Sequence, residues 1–251
     1  MVRKLLTATE ILNSELVADL AFRAVTRHSS EIRENLLISK NEQTFSGLLA
    51  SELNSLPTLR LGDCTDDLAG IVLLEYKGKD YVHETPAGQK YSRNSHDLVI
   101  VNPGSEIEVI IENKFWYHFD GCKGFNSPKP EKGIEKQLLG DIYKIRQTLN
   151  DDNSGKKGFI LLNVVTPFNP DQIPSSYLNA HKRVWERTNM NLSTYRKEGL
   201  DGVMSVLKML NSEFNSISVS STGTQAHEGF IDFICAEVRL NSYSTSDKRR
   251  Q

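Results

Sequence analysis

Glu112 and Lys114 close the apolar run Val109-Ile110-Ile111. Alternate residues of a β-strand share a face, so these two side chains point the same way. Charged groups at the end of a buried strand are costly unless they are paired or bound to a metal. A second apolar run, Leu98-Val99-Ile100-Val101, follows Asp97, and Asn102-Pro103-Gly104-Ser105 between the runs is a turn signal. Antiparallel pairing about Pro103-Gly104 sets Asp97 opposite about Ile111, next to Glu112. Two carboxylates and an ammonium then meet at one edge of a sheet. Carboxylates hold a hard divalent cation. Such a cation offsets charge on a phosphate and activates a water, and a lysine beside it orients that water or stabilises developing charge. Phosphodiester hydrolysis needs this set. The competing account is an ion pair across strands on a solvated sheet face.

The elements that must position these residues are legible as periodicities. Ile11, Leu12, Leu16, Leu20 and Val25 predict an amphipathic helix over about 7–27, and a short helix is expected over 30–38. Phe45, Leu49, Leu53 and Leu56 form the stripe of a helix from 41, stopped by Pro57. Glu42 and Glu52 flank that stripe; the alternatives to a site role are a helix N-terminal acid for Glu42 and a solvated rim residue for Glu52. Strand-like runs follow at 69–76, 96–102 and 106–116. A helix over 133–150 carries Ile134, Leu138, Ile142, Ile145 and Leu149 on one face, and a fourth strand is expected at 159–166. Beyond it the pattern gives helices over 175–188 and 194–210, a strand over 230–240 and a polar, basic, fraying tail over 242–251. Helices alternating with strands in this order imply a mixed sheet covered by helices.

Composition narrows the class. The chain has 251 residues, 38% hydrophobic and 25% charged, enough for one sizeable α/β domain or a domain with an added subdomain. A net charge of −2 is unlike a nonspecific nucleic-acid coat, so any polyanion site must be a local patch helped by metal ions. Cys64, Cys122 and Cys235 are widely spaced, without zinc spacing, and read as buried free thiols. No apolar run reaches the roughly 20 residues of a membrane helix, and no signal peptide is recognisable, so no membrane partner and a cytoplasmic location are expected. Phosphate-loop, dinucleotide, nucleophile-elbow and HExxH motifs are lacking. The aromatic run Phe115-Trp116-Tyr117-His118-Phe119, followed by Lys123, Lys129 and Lys132, could stack on bases, although an aromatic-anchored loop is the stronger reading. His181-Lys182-Arg183, with Trp185 and Arg187, reads equally as a phosphate-tracking or a solvated helix face.

Asp97 followed by Glu112-Asn113-Lys114 resembles the D…(D/E)-x-K signature of the PD-(D/E)XK nuclease superfamily, and the helix–strand–strand–strand–helix–strand order is similar to its core. Ile111-Glu112-Asn113-Lys114 followed by Gln137-Leu138 and Tyr143 resembles a subset with Gln and Tyr on the next helix. Glu42-Gln43-Thr44-Phe45-Ser46-Gly47-Leu48-Leu49 is similar to a preceding helix in which Glu stands before Ser/Thr and leucines. The likeness spans 41–166. His96 stands where the motif has proline, and the wide Gln-to-Tyr interval leaves Tyr143, pointing off the apolar face, without a role.

The resemblance implies a restriction-endonuclease-like α/β core with a mixed central sheet flanked by helices, plus extra C-terminal helices and a strand. It implies an Mg2+-dependent endodeoxyribonuclease, with Mn2+ as substitute, of the restriction or phage-defence kind. Asp97 and Glu112 would bind Mg2+ with the backbone carbonyl of Asn113, Lys114 would position the attacking water, and Glu42 would support a second metal or a metal-bound water. Gln137 would orient Lys114 or the scissile phosphate, and cleavage would leave a 5′-phosphate and a 3′-hydroxyl. The organisation expected is an N-terminal helical segment 1–40, the nuclease core 41–166, a C-terminal extension 167–241 packing on it, and the tail 242–251. DNA is the expected partner, with RNA not excluded, and a homodimer or a separate partner subunit stays open. So does a nuclease-fold component that binds nucleic acid or protein and is inactive alone.

Overall fold

The structure is a computed structural model and describes residues 7–27, 42–56, 70–77, 81–85, 88–92, 95–120, 131–149, 155–167, 175–226 and 229–240. The expected helix over 30–38, Pro57, Cys64, Cys122, Lys123, Lys129 and the tail lie outside the described residues.

An α/β fold is built on a six-stranded mixed sheet. The helices are α1 (Ala8–Ile11), α2 (Ser14–Thr26), α3 (Glu42–Asn54), α4 (Glu131–Leu149), α5 (Ser175–Arg187) and α6 (Leu192–Met209). The strands are β1 (Ile71–Lys77), β2 (Tyr81–Thr85), β3 (Gly88–Ser92), β4 (Ser95–Val101), β5 (Ile107–Tyr117), β6 (Lys157–Pro167), β7 (Phe214–Ala226) and β8 (Gly229–Val238). The sheet order is β1-β4-β5-β6-β8-β7, and β2 and β3 form a separate hairpin. All neighbours in the large sheet are antiparallel except β5 and β6, which run parallel on either side of α4 in the chain. A parallel pair needs such a crossover, and α4 supplies it.

Each face of the sheet has its own apolar layer. On one, Leu98, Ile100, Val109, Ile111, Phe159, Leu161 and Phe233 pack with Val17, Leu20 and Ala21 of α2 and Phe45, Leu49 and Leu53 of α3. On the other, Val99, Ile110, Ile160 and Leu162 pack with Ile134, Leu138, Ile142, Ile145 and Leu149 of α4 and Val203, Val206 and Leu207 of α6. Fully burying one such side chain contributes about 1.5–3 kcal/mol. The central strands are covered on both faces, so β5 and β6 read as continuous apolar runs rather than alternating ones.

Three differences from the sequence pattern have physical causes. The N-terminal helix breaks at Leu12–Asn13, because Asn13 caps α2 by accepting from Leu16 N–H at 2.8 Å. β7 was not expected from its Ser- and Thr-rich sequence; Ser14 of α2 meets Ser216 and Ser218 of this strand through hydroxyl hydrogen bonds of 3.0 and 2.6 Å. The register of β4 on β5 is one residue off the expectation: Leu98, not Asp97, lies opposite Ile111. The pairing is Val101 with Ile107 but Ile100 with Val109, so Glu108 is an extra residue in a bulge that advances β5 by one. Asp97 thereby comes level with Glu112. No described helix is long and apolar enough to cross a membrane.

Candidate active site

The site forms where β4 begins and β5 runs on past it. The turn between them is held by Asn102, whose side-chain oxygen accepts from Glu106 N–H at 3.0 Å. Past Glu112, β5 has lost its β4 partner, and its outward amides are met by carboxylates instead. Asp97 Oδ2 accepts from Asn113 N–H at 2.7 Å, Glu42 Oε1 from Phe115 N–H at 3.2 Å, and Asp120 Oδ2 from Tyr117 N–H at 3.0 Å. These amides are two residues apart, so the carboxylates follow one strand edge at intervals of about 7 Å. Glu42 thus comes to the site from α3, whose Phe45 packs edge-on against Phe115 at 5.3 Å. Glu52 does not: it is buried, not on a solvated rim, and receives both oxygens' hydrogen bonds from Arg27 Nη1 at 3.1 and 2.8 Å.

Glu112, Lys114 and Trp116 alternate along β5 toward α4. The helix answers with Thr148, Lys144, Asp141 and Gln137, spaced by four, three and four residues and each one position ahead of an apolar core residue. Lys144 Nζ stands 2.7 Å from Glu112 Oε2, Asp141 Oδ2 is 3.6 Å from Lys114 Nζ, and Gln137 Oε1 accepts from the Trp116 indole at 3.0 Å. His96 bridges the far end. Its Nδ1 donates to Glu112 Oε1 at 2.5 Å, and its Nε2 lies 2.8 Å from Thr148 Oγ1. Gln137 is therefore engaged with Trp116 rather than with Lys114. Tyr143 is 43% exposed, off this face as expected.

On the opposite face Asn113 and Asn163 form a buried amide pair. Asn163 Nδ2 donates to Asn113 Oδ1 and, at 3.1 Å, to Lys114 O; Asn113 Nδ2 reaches Ser46 Oγ at 3.4 Å. This ties β5, β6 and α3 together beneath the site. The Asn113 carbonyl, expected to help hold a metal, accepts from Lys114 Nζ at 3.3 Å.

Electrostatics follow from burial and crowding. Burial and the nearby Glu112 charge raise the Asp97 pKa, against the Asn113 amide and the two lysines. Burial alone would raise Glu112, but the His96 hydrogen bond and the Lys144 ammonium prevail and hold it below the ordinary value. Burial disfavours the charge on Lys114, yet Asp141, Asp97, Glu112 and Glu42 around it keep its pKa above the ordinary lysine value. Asp141 is pushed up to about 6, first by burial and then by Glu112 and Asp97, against the pull of Lys114 and Lys144.

The donors fit a hard divalent cation in kind. Asp97 and Glu112 sit level on adjacent strands beside the Asn113 carbonyl. Glu112 Oε2 and Asp141 Oδ2 are buried with no hydrogen bond among the described residues; the lysines beside them stand at ion-pair range, outside hydrogen-bond geometry. Buried anionic oxygens that only ion pairs reach are groups a divalent cation would also suit. No three His, Cys, Asp or Glu side chains among the described residues already converge on one point.

The sequence pattern missed His96 as a partner, and with it Asp141, Lys144 and Thr148. The signal was the polar row 137, 141, 144 and 148 alongside the apolar stripe of α4. The basic residues of α5 lie on its outside: Lys182 and Arg183 are exposed and Arg187 pairs with Glu198. Phe115 to His118 are buried, as an aromatic anchor requires, and Cys235 is a buried free thiol. Compared with known protein families, curated proteins and solved structures, the chain matches none of them.

Proposed function

We propose that this chain is a metal-dependent nuclease that hydrolyses phosphodiester bonds of DNA, with a PD-(D/E)XK-type site. The observation that carries the reading is the convergence of Asp97, Glu112 and Lys114 where β5 outruns β4. The succession β1-β4-β5-β6, antiparallel twice and then parallel across a helix, is compatible with the core that the sequence resemblance implies.

Asp97, Glu112 and the Asn113 carbonyl would hold Mg2+ or Mn2+, which when bound supplies charge neutralisation and water activation. The protein's own groups do the rest. Lys114 stays protonated because four carboxylates surround it, so it acts as a donor and positive charge toward water or phosphate, not as a base. Asp141 fixes the lysine from the helix side, at 3.6 Å. His96 holds Glu112 Oε1, and Oε2, which Lys144 faces, is the oxygen a divalent cation would take. Glu42, on the next outward amide, adds negative charge along the same edge.

A second reading has its own observation. Both Glu112 oxygens are contacted by protein cations or donors, His96 and Lys144, which suits a component that is silent without a partner. Incubating the protein with supercoiled plasmid, linear duplex, single-stranded DNA and RNA, each with Mg2+, Mn2+ or EDTA, separates the two. The nuclease reading expects metal-dependent DNA cleavage. Cleavage of RNA alone would reassign the substrate, and no cleavage with any of them would favour the silent component.

A further inference from the structure

We propose that Lys144 is a built-in counter-cation of this site, which occupies Glu112 until a divalent cation takes its place. The inference rests on the metal-site reading above. Glu112 is fully buried, and its Oε2 has Lys144 Nζ at 2.7 Å. The contact is an ion pair, made by a side chain that reaches in from the next helix. A carboxylate buried alone would be expensive, so the metal-free site needs a cation of its own.

Lys144 has the means to leave. Its side chain is 23% exposed, and besides Glu112 it is held by the Ser95 carbonyl at 2.7 Å. Asp141, three residues back on the helix, lies 4.0 Å from the same ammonium and can keep it paired after a small swing. A compact charge on a flexible four-carbon stem suits such a movement. A divalent ion held by Glu112 would have to meet the ammonium that now neutralises it. Two like charges that close repel too strongly to share the carboxylate.

A lysine serving only to prop Glu112 in place would have the opposite signature, because its loss would loosen a ligand and weaken metal binding. Removing a competing cation instead strengthens it. Titrating the full chain with CaCl2 and with MgCl2 by calorimetry, without nucleic acid, reads this directly. Lys144→Gln should bind the metal about tenfold tighter than wild type. Lys144→Arg, whose fork grips a carboxylate more firmly, should bind it more weakly. This second variant keeps the test open if Lys144→Gln does not fold. Equal affinities across the series, or the reverse order, would overturn the role of Lys144 while leaving the metal site intact. Absence of binding in wild type and both variants would remove the metal site itself, and the nuclease reading with it.

Discussion

Asp141→Asn should stabilise the protein, and by an amount that depends on pH. The Asp141 carboxyl, only 13% exposed, is pushed up to about 6 from 3.8. Between those values the folded chain keeps a proton that the unfolded chain releases. Stability therefore falls as pH rises through this window, and the cost persists at all higher pH. A gap of about two pKa units amounts to about 3 kcal/mol once both states are ionised, and to only about 0.5 kcal/mol near pH 4. Asparagine keeps the shape and removes the charge. The variant should gain about 3 kcal/mol near pH 8, seen as a rise in Tm of roughly 5–10 °C for a chain of this length. Near pH 4 the two proteins should melt within about 2 °C of each other. Thermal unfolding of both proteins at the two pH values reads the difference. A gain that does not grow with pH, or a loss that deepens toward pH 8, would show that ionised Asp141 is a net stabiliser through Lys114 and Lys144.

Glu112→Gln should destabilise the fold by about 1–3 kcal/mol at neutral pH, because it takes the charged acceptor from buried His96 and from Lys144; urea unfolding measures it. The wild-type contribution is present above the ordinary carboxylate range and is lost as pH falls through the lowered Glu112 pKa, so the two proteins should converge in acid. Gly199→Ala should cost about 1–3 kcal/mol, since an added Cβ would stand 2.6 Å from the His118 carbonyl oxygen and 2.5 Å from its Cβ. An unchanged Tm in Gly199→Ala would mean that α6 seats on the His118–Asp120 turn less tightly than described.

Where a signal is local, the sequence carried it. The stripe of α4, the helix of Glu42, the two strands of the hairpin and the shared face of Glu112 and Lys114 all follow from spacing. The hairpin register missed by one because the Glu108 bulge depends on how β5 twists against its neighbours. β7 was hidden because its Ser- and Thr-rich run carries little apolar signal, and the Ser14 hydroxyl that meets it is 202 residues away from Ser216 in the chain. The β2–β3 hairpin has no apolar alternation to give it away. Lys144, Asp141 and His96 were invisible as a group because their meeting is set by the seating of α4 on β5. Tertiary packing decides that, and periodicity alone leaves it open. The two glutamates of α3, alike beside the apolar stripe, separate in three dimensions: Glu42 accepts from Phe115 N–H on the β5 edge, while Arg27 holds Glu52.

The proposed nuclease activity needs Asp97, Glu112 and Lys114 to work as one hydrolytic site. Its most direct test is cleavage of plasmid DNA with saturating Mg2+ or Mn2+ by wild type, Asp97→Ala and Lys114→Ala, each first checked to be folded by circular dichroism. Both variants should lose at least about a hundredfold in rate, with wild-type products carrying 5′-phosphates. Wild-type cleavage that persists undiminished in either folded variant would contradict it.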